Sequence, residues 1–246
     1  MALTASPDDQ ALLIDLQALD TKLQQLDHRA KGLPEHAVLA SLAAEAEAIR
    51  ATLAEQSGVV EDAKLELSRV ESDVEVVEAR ITRDSERLQA SSSVKDVAAL
   101  EQEIAALTKR RGDLEEIELT VMEKLEAAEA VAAATRASFE AAQASIAEAQ
   151  ASRDAALASI DAERTHTTAN RSTVAGKVPA ELLALYEKQR ARYGAGASHL
   201  LRGISTACGV KLNSHDLQVI RDSAPNAVIL CPESSAILVR TAESGL

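Results

Sequence analysis

Steps of three and four residues from Leu39 reach Leu42, Ala46, Ile49, Leu53, Gln56, Val60, Ala63, Leu67, Val70, Val74, Val77, Ile81, Asp84 and Leu88. Thirteen of these fifteen positions are apolar. Seven heptads in one register predict a coiled-coil seam rather than an ordinary amphipathic helix. One glycine, Gly58, and no proline fall inside the run. A helix over 35–89 spans roughly 80 Å at 1.5 Å per residue.

Ala90-Ser91-Ser92-Ser93 breaks the pattern, and Ser93-Val94-Lys95-Asp96 matches a capping box with Asp in place of Glu or Gln. A second seam follows through Val97, Leu100, Ile104, Leu107, Arg111, Leu114, Glu118, Val121, Leu125, Ala128, Ala132, Thr135, Phe139, Ala142, Ile146, Ala149, Arg153, Ala156 and Ile160. Fifteen of these nineteen positions are apolar. After Leu125 the seam is Ala-rich, so it buries less area per residue. A short polar turn between two long seams makes antiparallel neighbours. The expected tip is Ser91–Ser93, within 90–95. The seam could be used inside one chain or between two, so monomer and homodimer both stay open.

Upstream, Ser6-Pro7-Asp8-Asp9 reads as a helix start, with a cap, a first-turn proline and two acids suited to the dipole. Leu16, Leu19, Leu23, Leu26 and Ala30 follow at helical spacing. Gly32-Leu33-Pro34 interrupts that helix near 32–34. The returning helix is long enough to continue along 8–31. Near Ala162–Ser172 the pattern weakens, and a frayed or bent stretch is expected. Pro179 restarts a helix carrying Leu182, Leu183, Tyr186 and Tyr193, which Gly194-Ala195-Gly196 ends. Three β-type runs come next: Val210–Leu212, Ala227–Cys231 and Ala236–Arg240. The last two are spaced as a hairpin. The expected organisation is a coiled-coil hairpin over 1–176, then a connecting helix and small β-rich module over 177–246. The fold class is mainly α.

With no Trp, one Phe and two Tyr, the chain lacks the aromatics on which globular cores draw. Disorder is the competing reading of such a composition. The 46% hydrophobic content and the long periodicity argue against it. The net charge is −13. Residues 177–246 hold eight Lys/Arg against six Asp/Glu, so the first 176 residues carry −15. An acidic stalk repels a phosphate backbone, which leaves only the C-terminal part for nucleic-acid contact. No run of 18 apolar residues occurs, and the start lacks a basic segment leading into an apolar one. No transmembrane helix or signal peptide is therefore expected. Two cysteines without a secretory signal point to a reducing cytoplasm.

Pro179-Ala-Glu-Leu-Leu-Ala-Leu-Tyr186-Glu-Lys-Gln-Arg190, the glycine turn, and the ending Ile237-Leu238-Val239-Arg240-Thr241 resemble a known family. These are bacterial coiled-coil hairpin proteins with a C-terminal C4-type zinc ribbon, particularly their actinobacterial members. The resemblance covers nearly the whole chain, and its specific part is Pro179 to Thr241. It implies two C-x-x-C pairs about twenty residues apart holding tetrahedral zinc. Here the pairs align as Ser205-Thr206-Ala207-Cys208 and Cys231-Pro232-Glu233-Ser234. Each keeps one cysteine and has serine at the other site. A neutral hydroxyl is a poor zinc ligand, so most of an affinity of roughly 10–16 kcal/mol should be gone. The expectation is a degenerate, zinc-ribbon-like module that folds without metal. The alternative keeps zinc on Cys208, Cys231 and substitutes such as His199, His215 or Glu233. If the ribbon closes as in the family, the two cysteines come close together.

No G-x-G-x-x-G, Walker A or H-E-x-x-H pattern is present, and no constellation supports an enzyme. Acid pairs such as Glu115-Glu116 read as a solvated face. The polar seam residues Gln56, Asp84, Arg111 and Glu118 either fix register or snorkel out to water, and the second is favoured. Two functional expectations remain. One is a non-enzymatic adaptor or chaperone-like scaffold that binds unidentified protein partners, with Ser91, Ser92, Ser93, Lys95 and Asp96 at the tip as candidate contacts. The resemblance implies this, since family members are described as scaffolds. The other is nucleic-acid binding through the C-terminal module, with Lys188, Arg190, Arg192, Arg202 and Lys211 as the basic candidates.

Overall fold

The computed structural model describes residues 3–246, and its first two helix breaks fall at the proline and serine signals. Helix α1 covers Pro7–Lys31; Ser6 Oγ accepts from the Asp9 amide at 3.0 Å, and the Gly32 amide closes the helix on His28 O at 2.9 Å. Helix α2 covers Pro34–Ala90 and α3 covers Val94–Ala175. Contacts divide the chain into two compact units: Met1–Pro34 with Ser152–Leu246, and Glu35–Ala151. The contacts group α1 and the end of α3 with the C-terminal module.

Unit Glu35–Ala151 is an antiparallel helical hairpin. All fifteen seam positions of α2, and all sixteen of α3 from Val97 to Ala149, are at least half shielded. Val60, Ala63, Leu100, Leu114 and Val121 are buried outright. Ion pairs Lys64–Glu129, at 3.8 Å, and Arg80–Glu103 join the two helices in antiparallel order. The seam is thus used within the chain.

In the other unit, α1 runs antiparallel to the last part of α3. Arg29 pairs with Glu163 at 3.5 Å, Asp27 with Arg164 at 3.7 Å and Asp20 with Arg171 at 2.6 Å. The frayed or bent stretch expected at 162–172 is instead continuous helix. The apolar pattern lapses there because polar side chains occupy the packed face. Thr167 is buried and donates to Glu163 O at 2.7 Å. Arg171 turns to Asp20.

Helix α4, Ala180–Tyr193, ends at Gly194 with φ +86°. Then come β1 (Ala197–Leu201), β2 (Ile204–Ser205), α5 (Ser214–Asp222), β3 (Ile229–Leu230), β4 (Ile237–Val239) and a 3-10 turn over Ala242–Ser244. The sheet order is β2-β1-β4-β3. β3 and β4 form the expected antiparallel pair. β1 and α5 were not expected, and β1 pairs parallel to β4. The run Val210–Leu212 contributes only an isolated bridge, Ile204 with Lys211. A further bridge, Thr4 with Ala227, ties the N-terminal segment to the module, supported by the Ala5 amide on Asn226 O at 2.9 Å.

The sheet separates two apolar clusters. Ile237 and Val239 of β4 face Leu13, Leu16, Leu182 and Tyr186. Leu238 between them faces Leu200, Leu212, Ile220 and Cys231. This is the alternation a central strand imposes. Each fully buried leucine is worth roughly 1.5–3 kcal/mol. No helix among the described residues is long and apolar enough to cross a membrane.

Candidate functional site

The densest polar arrangement lies where α1, α3 and α4 meet, and sequence reasoning missed it. Asp20 is 1% exposed. Arg171 Nε donates to its Oδ1 at 2.6 Å and Nη2 to its Oδ2 at 3.1 Å. The Tyr186 hydroxyl donates to Oδ2 at 2.6 Å, and Arg190 Nη1 to Oδ1 at 3.2 Å. Glu187 accepts from both arginines, at 2.6 Å and 3.0 Å. One turn before Asp20, Gln17 Oε1 accepts the amides of Gly196 at 2.8 Å and Ala197 at 3.2 Å. The clamp therefore ties α1 to α3, to α4 and to the entry of β1. Gly196 is required there: a Cβ would lie 2.5 Å from the Tyr186 ring.

Burial and the Asp20 carboxylate push the Tyr186 hydroxyl far above its usual range. The hydrogen bonds that Arg171 donates to Asp20 hold it charged, against burial. Tyr186 therefore stays protonated as a donor. Both Asp20 oxygens are occupied, so the cluster has no open face for a reacting group. It is a structural joint.

Of the four positions expected as ribbon ligands, Ser205 and Ser234 lie beside Cys231. Gly209 N donates to Ser205 O at 2.8 Å, and Ser235 N to Cys231 O at 2.9 Å, closing turns over both tetrapeptides. Gly209 and Ser235 take the positive φ such turns need, +68° and +59°. The Ser234 amide points at Cys231 Sγ, 3.5 Å away, and Cys208 packs against the cluster that holds Cys231. Both thiols are free. Ser205 Oγ lies 2.7 Å from Ser198 Oγ, which also accepts from the Ala207 amide at 3.0 Å.

Burial pushes the Cys231 thiol up. The Ser234 side chain and amide, the Ser205 side chain and the Glu233 amide outweigh it and bring it below the ordinary thiol range. Ser234 Oγ is sealed from solvent without a hydrogen-bond partner of ordinary geometry, so its effect on the sulfur is one of proximity. Among the described residues no three His, Cys, Asp or Glu are grouped to hold a metal. Two thiols, a serine committed to Ser198 and a serine hydroxyl do not fit zinc. Of the considered substitutes, His199 Nε2 lies 2.7 Å from Thr241 Oγ1, and Glu233 is exposed.

The basic candidates lie on α4, in the β1–β2 turn and in the segment after β2. Arg190 is engaged by Asp20 and Glu187. Arg192 lies over the Tyr193 ring, 5.3 Å from its centre. Arg202 sits in the β1–β2 turn, and Lys211 bridges to Ile204 in β2. Lys188 is exposed on α4.

At the tip, Ser93 Oγ accepts from the Asp96 amide at 3.4 Å and Ser91 Oγ from the Ser93 amide at 3.3 Å. Ser92, Lys95 and Asp96 face water, and Val94 is 86% exposed.

The seam polars do not simply snorkel. Asp84 is 4% exposed, held by Arg80 and Arg87 of its own helix. Gln56 Oε1 is sealed and unpaired. Arg111 pairs with Glu115 at 3.1 Å.

Residues 16–194 match the CT398-like coiled coil hairpin domain. An uncharacterized protein of Mycobacterium tuberculosis, Rv2229c in strain H37Rv and MT2288 in strain CDC 1551 / Oshkosh, is 34% identical over 232 residues. The match covers 94% of this chain and 95% of that protein. A solved structure from Mycobacterium smegmatis superposes with TM-score 0.86 at 32% identity, over 97% of this chain and all of that one. The structure of CT398 from Chlamydia trachomatis gives TM-score 0.63 at 20% identity, over 94% and 97% of the two chains. At that identity the likeness shows the fold alone.

Proposed function

We propose that this chain, which belongs to the CT398-like coiled coil hairpin family, is a non-enzymatic adaptor that binds partner proteins through its helical hairpin. The observation that carries the reading is Val94, a large apolar side chain left 86% exposed at a serine-flanked tip. It is not used in packing there, and with Ser92, Ser93, Lys95 and Asp96 exposed beside it the tip offers a mixed apolar and polar surface that the hairpin itself does not need. The tip contacts would be Ser91, Ser92, Ser93, Val94, Lys95 and Asp96. The seam behind them pairs α2 with α3 within the chain, and the tip residues take no part in it. The densest polar cluster, around Asp20, is closed and serves the fold. That supports a binding role over a catalytic one.

Nucleic-acid binding through the C-terminal module is the weaker reading. Arg190 is committed to Asp20, and the remaining basic side chains are shared among α4, the β1–β2 turn and the segment after β2. A photo-crosslinking residue at position 94, used in the native cell, separates the two. A discrete protein adduct that disappears when Ser91–Ser93 are replaced by a Gly-Asp-Gly turn is expected. No protein adduct at position 94, with RNA or DNA captured instead by the same residue placed at position 202, would overturn the adaptor reading.

A further inference from the structure

A two-helix layer cannot enclose its own seam. Of the fifteen seam positions of α2, only Ala46, Val60, Ala63 and Asp84 are buried, and the rest keep part of their surface exposed. One flank of the pair adds apolar surface to that opening. A groove between α2 and α3 is lined by Leu67, Leu119, Met122 and Leu125, with Glu123, Glu126 and Glu129 at its rim. Leu119 is 61% exposed and Met122 48%. Neither belongs to the heptad seam, so neither is needed to hold the hairpin together. Residues 60–75 and 113–129, which carry the groove, hold thirteen Asp/Glu against three Lys/Arg. Lys64 reaches Glu129 and Glu61. No ion pair engages Glu123 or Glu126 among the described residues.

We propose that this acid-rimmed groove is a docking site for a basic amphipathic helix of a partner protein, laid along α2 and α3 as a third helix. The proposal rests on the adaptor reading and names its partner class. Apolar residues at i, i+3, i+4 and i+7 of the incoming helix would cover Leu119 and Met122 and the half-open seam. Lysines or arginines on its flanks would meet Glu123 and Glu126. Met122 adds a deformable contact that accommodates different apolar side chains. A nucleic acid is repelled by the rim. A second copy of the chain brings a hairpin of the same charge, so like sign opposes it.

The test uses the full chain and a defined probe: a 15-residue Leu/Lys peptide with leucines at those spacings, against a scrambled peptide of the same composition. Fluorescence anisotropy at about 0.05 and 0.3 M salt brackets the screening range. The patterned peptide should bind at least tenfold more tightly than the scrambled one. Leu119→Gln with Met122→Gln should weaken it about tenfold, with helicity by circular dichroism unchanged because both side chains are exposed. Glu123→Gln with Glu126→Gln should weaken it and flatten the salt dependence. Val94→Asp at the tip should leave peptide binding intact, so a failed tip and a failed groove read differently. Equal binding of the two peptides, or binding indifferent to the Gln pair at 119 and 122, overturns the proposal. So does a dimer in sedimentation that the same pair dissociates, since the occupant would then be a second copy.

Discussion

The Tyr186 hydroxyl donates to Asp20 Oδ2 at 2.6 Å across 166 residues of sequence. That bond sits inside the pairing of Asp20 with Arg171 and Arg190, so one carboxylate holds three helices in position. Removing one partner of a buried ionic cluster leaves the others uncompensated. Asp20→Asn should destabilise the chain by about 3 kcal/mol. Tyr186→Phe removes one donor and leaves the guanidiniums in place, so about 1.5 kcal/mol is expected. Urea unfolding of both variants checks the order. An Asp20→Asn loss no larger than that of Tyr186→Phe would show that the charge is not what matters.

Glu187 gives the same joint a pH dependence. Partial burial pushes its carboxyl up, but the hydrogen bonds and charges of Arg171 and Arg190 outweigh this and hold it below the usual range. A carboxyl with a lower pKa folded than unfolded binds fewer protons in the folded state, so acid favours unfolding. Its contribution is complete above the unfolded value of about 4.3 and is lost as pH falls through the depressed folded value. Glu187→Gln should therefore be less stable than wild type at neutral pH, and the gap should close below about pH 4. Thermal midpoints followed from pH 7 to pH 3 test this. A gap constant across the range would mean that Glu187 acts through packing alone.

The hairpin was legible because its signal is repetitive. Every seam residue named from Leu39 to Leu88 and from Val97 to Ala149 is shielded, since heptad spacing and burial are one geometric fact. The C-terminal module was only partly legible. β1 reads Ala-Ser-His-Leu-Leu, weak strand formers in the first three positions, and its parallel pairing with β4 crosses almost forty residues. Helix α5 is nine residues long, and its readable sign is the Asn213 side chain accepting from the Asp216 amide at 2.8 Å. The Asp20 clamp joins residues more than 150 positions apart. Its one sequence signal is an acid four residues after Leu16, on the buried side of α1.

The ribbon positions make a gain-of-function prediction. The turns over Ser205–Cys208 and Cys231–Ser234 are closed, and what zinc would lack there is thiolates. Chelator should leave the thermal midpoint of the wild-type chain unchanged, and protein purified without added zinc should carry well under one equivalent. Ser205→Cys with Ser234→Cys creates two C-x-x-C pairs on backbone that already turns at both tetrapeptides. That variant should take up about one zinc per chain, gain thermal stability and lose it again with chelator. One tightly held equivalent in the wild type would overturn the metal-free reading, and no uptake by the double variant would show that the turns are not zinc knuckles.

Asp84 tests what a buried acid does in a two-helix seam. It is 4% exposed, faces the α3 side of the hairpin and is paired only to Arg80 and Arg87 of its own helix. Those arginines are largely solvated, so removing Asp84 strands no buried charge. Asp84→Leu should then stabilise the chain by about 1 kcal/mol, because an apolar side chain avoids the desolvation that the carboxylate suffers. A polar seam residue also resists sliding, since any shift carries it against the apolar seam residues beside it. The same variant should therefore hold its register less strictly. Cysteines placed at Arg80 and Glu103, whose side chains pair across the hairpin, report this. Oxidation should cross-link them nearly completely in the Asp84 background and incompletely in Asp84→Leu. Complete cross-linking in both, together with higher stability, would show that Asp84 lowers stability without specifying register.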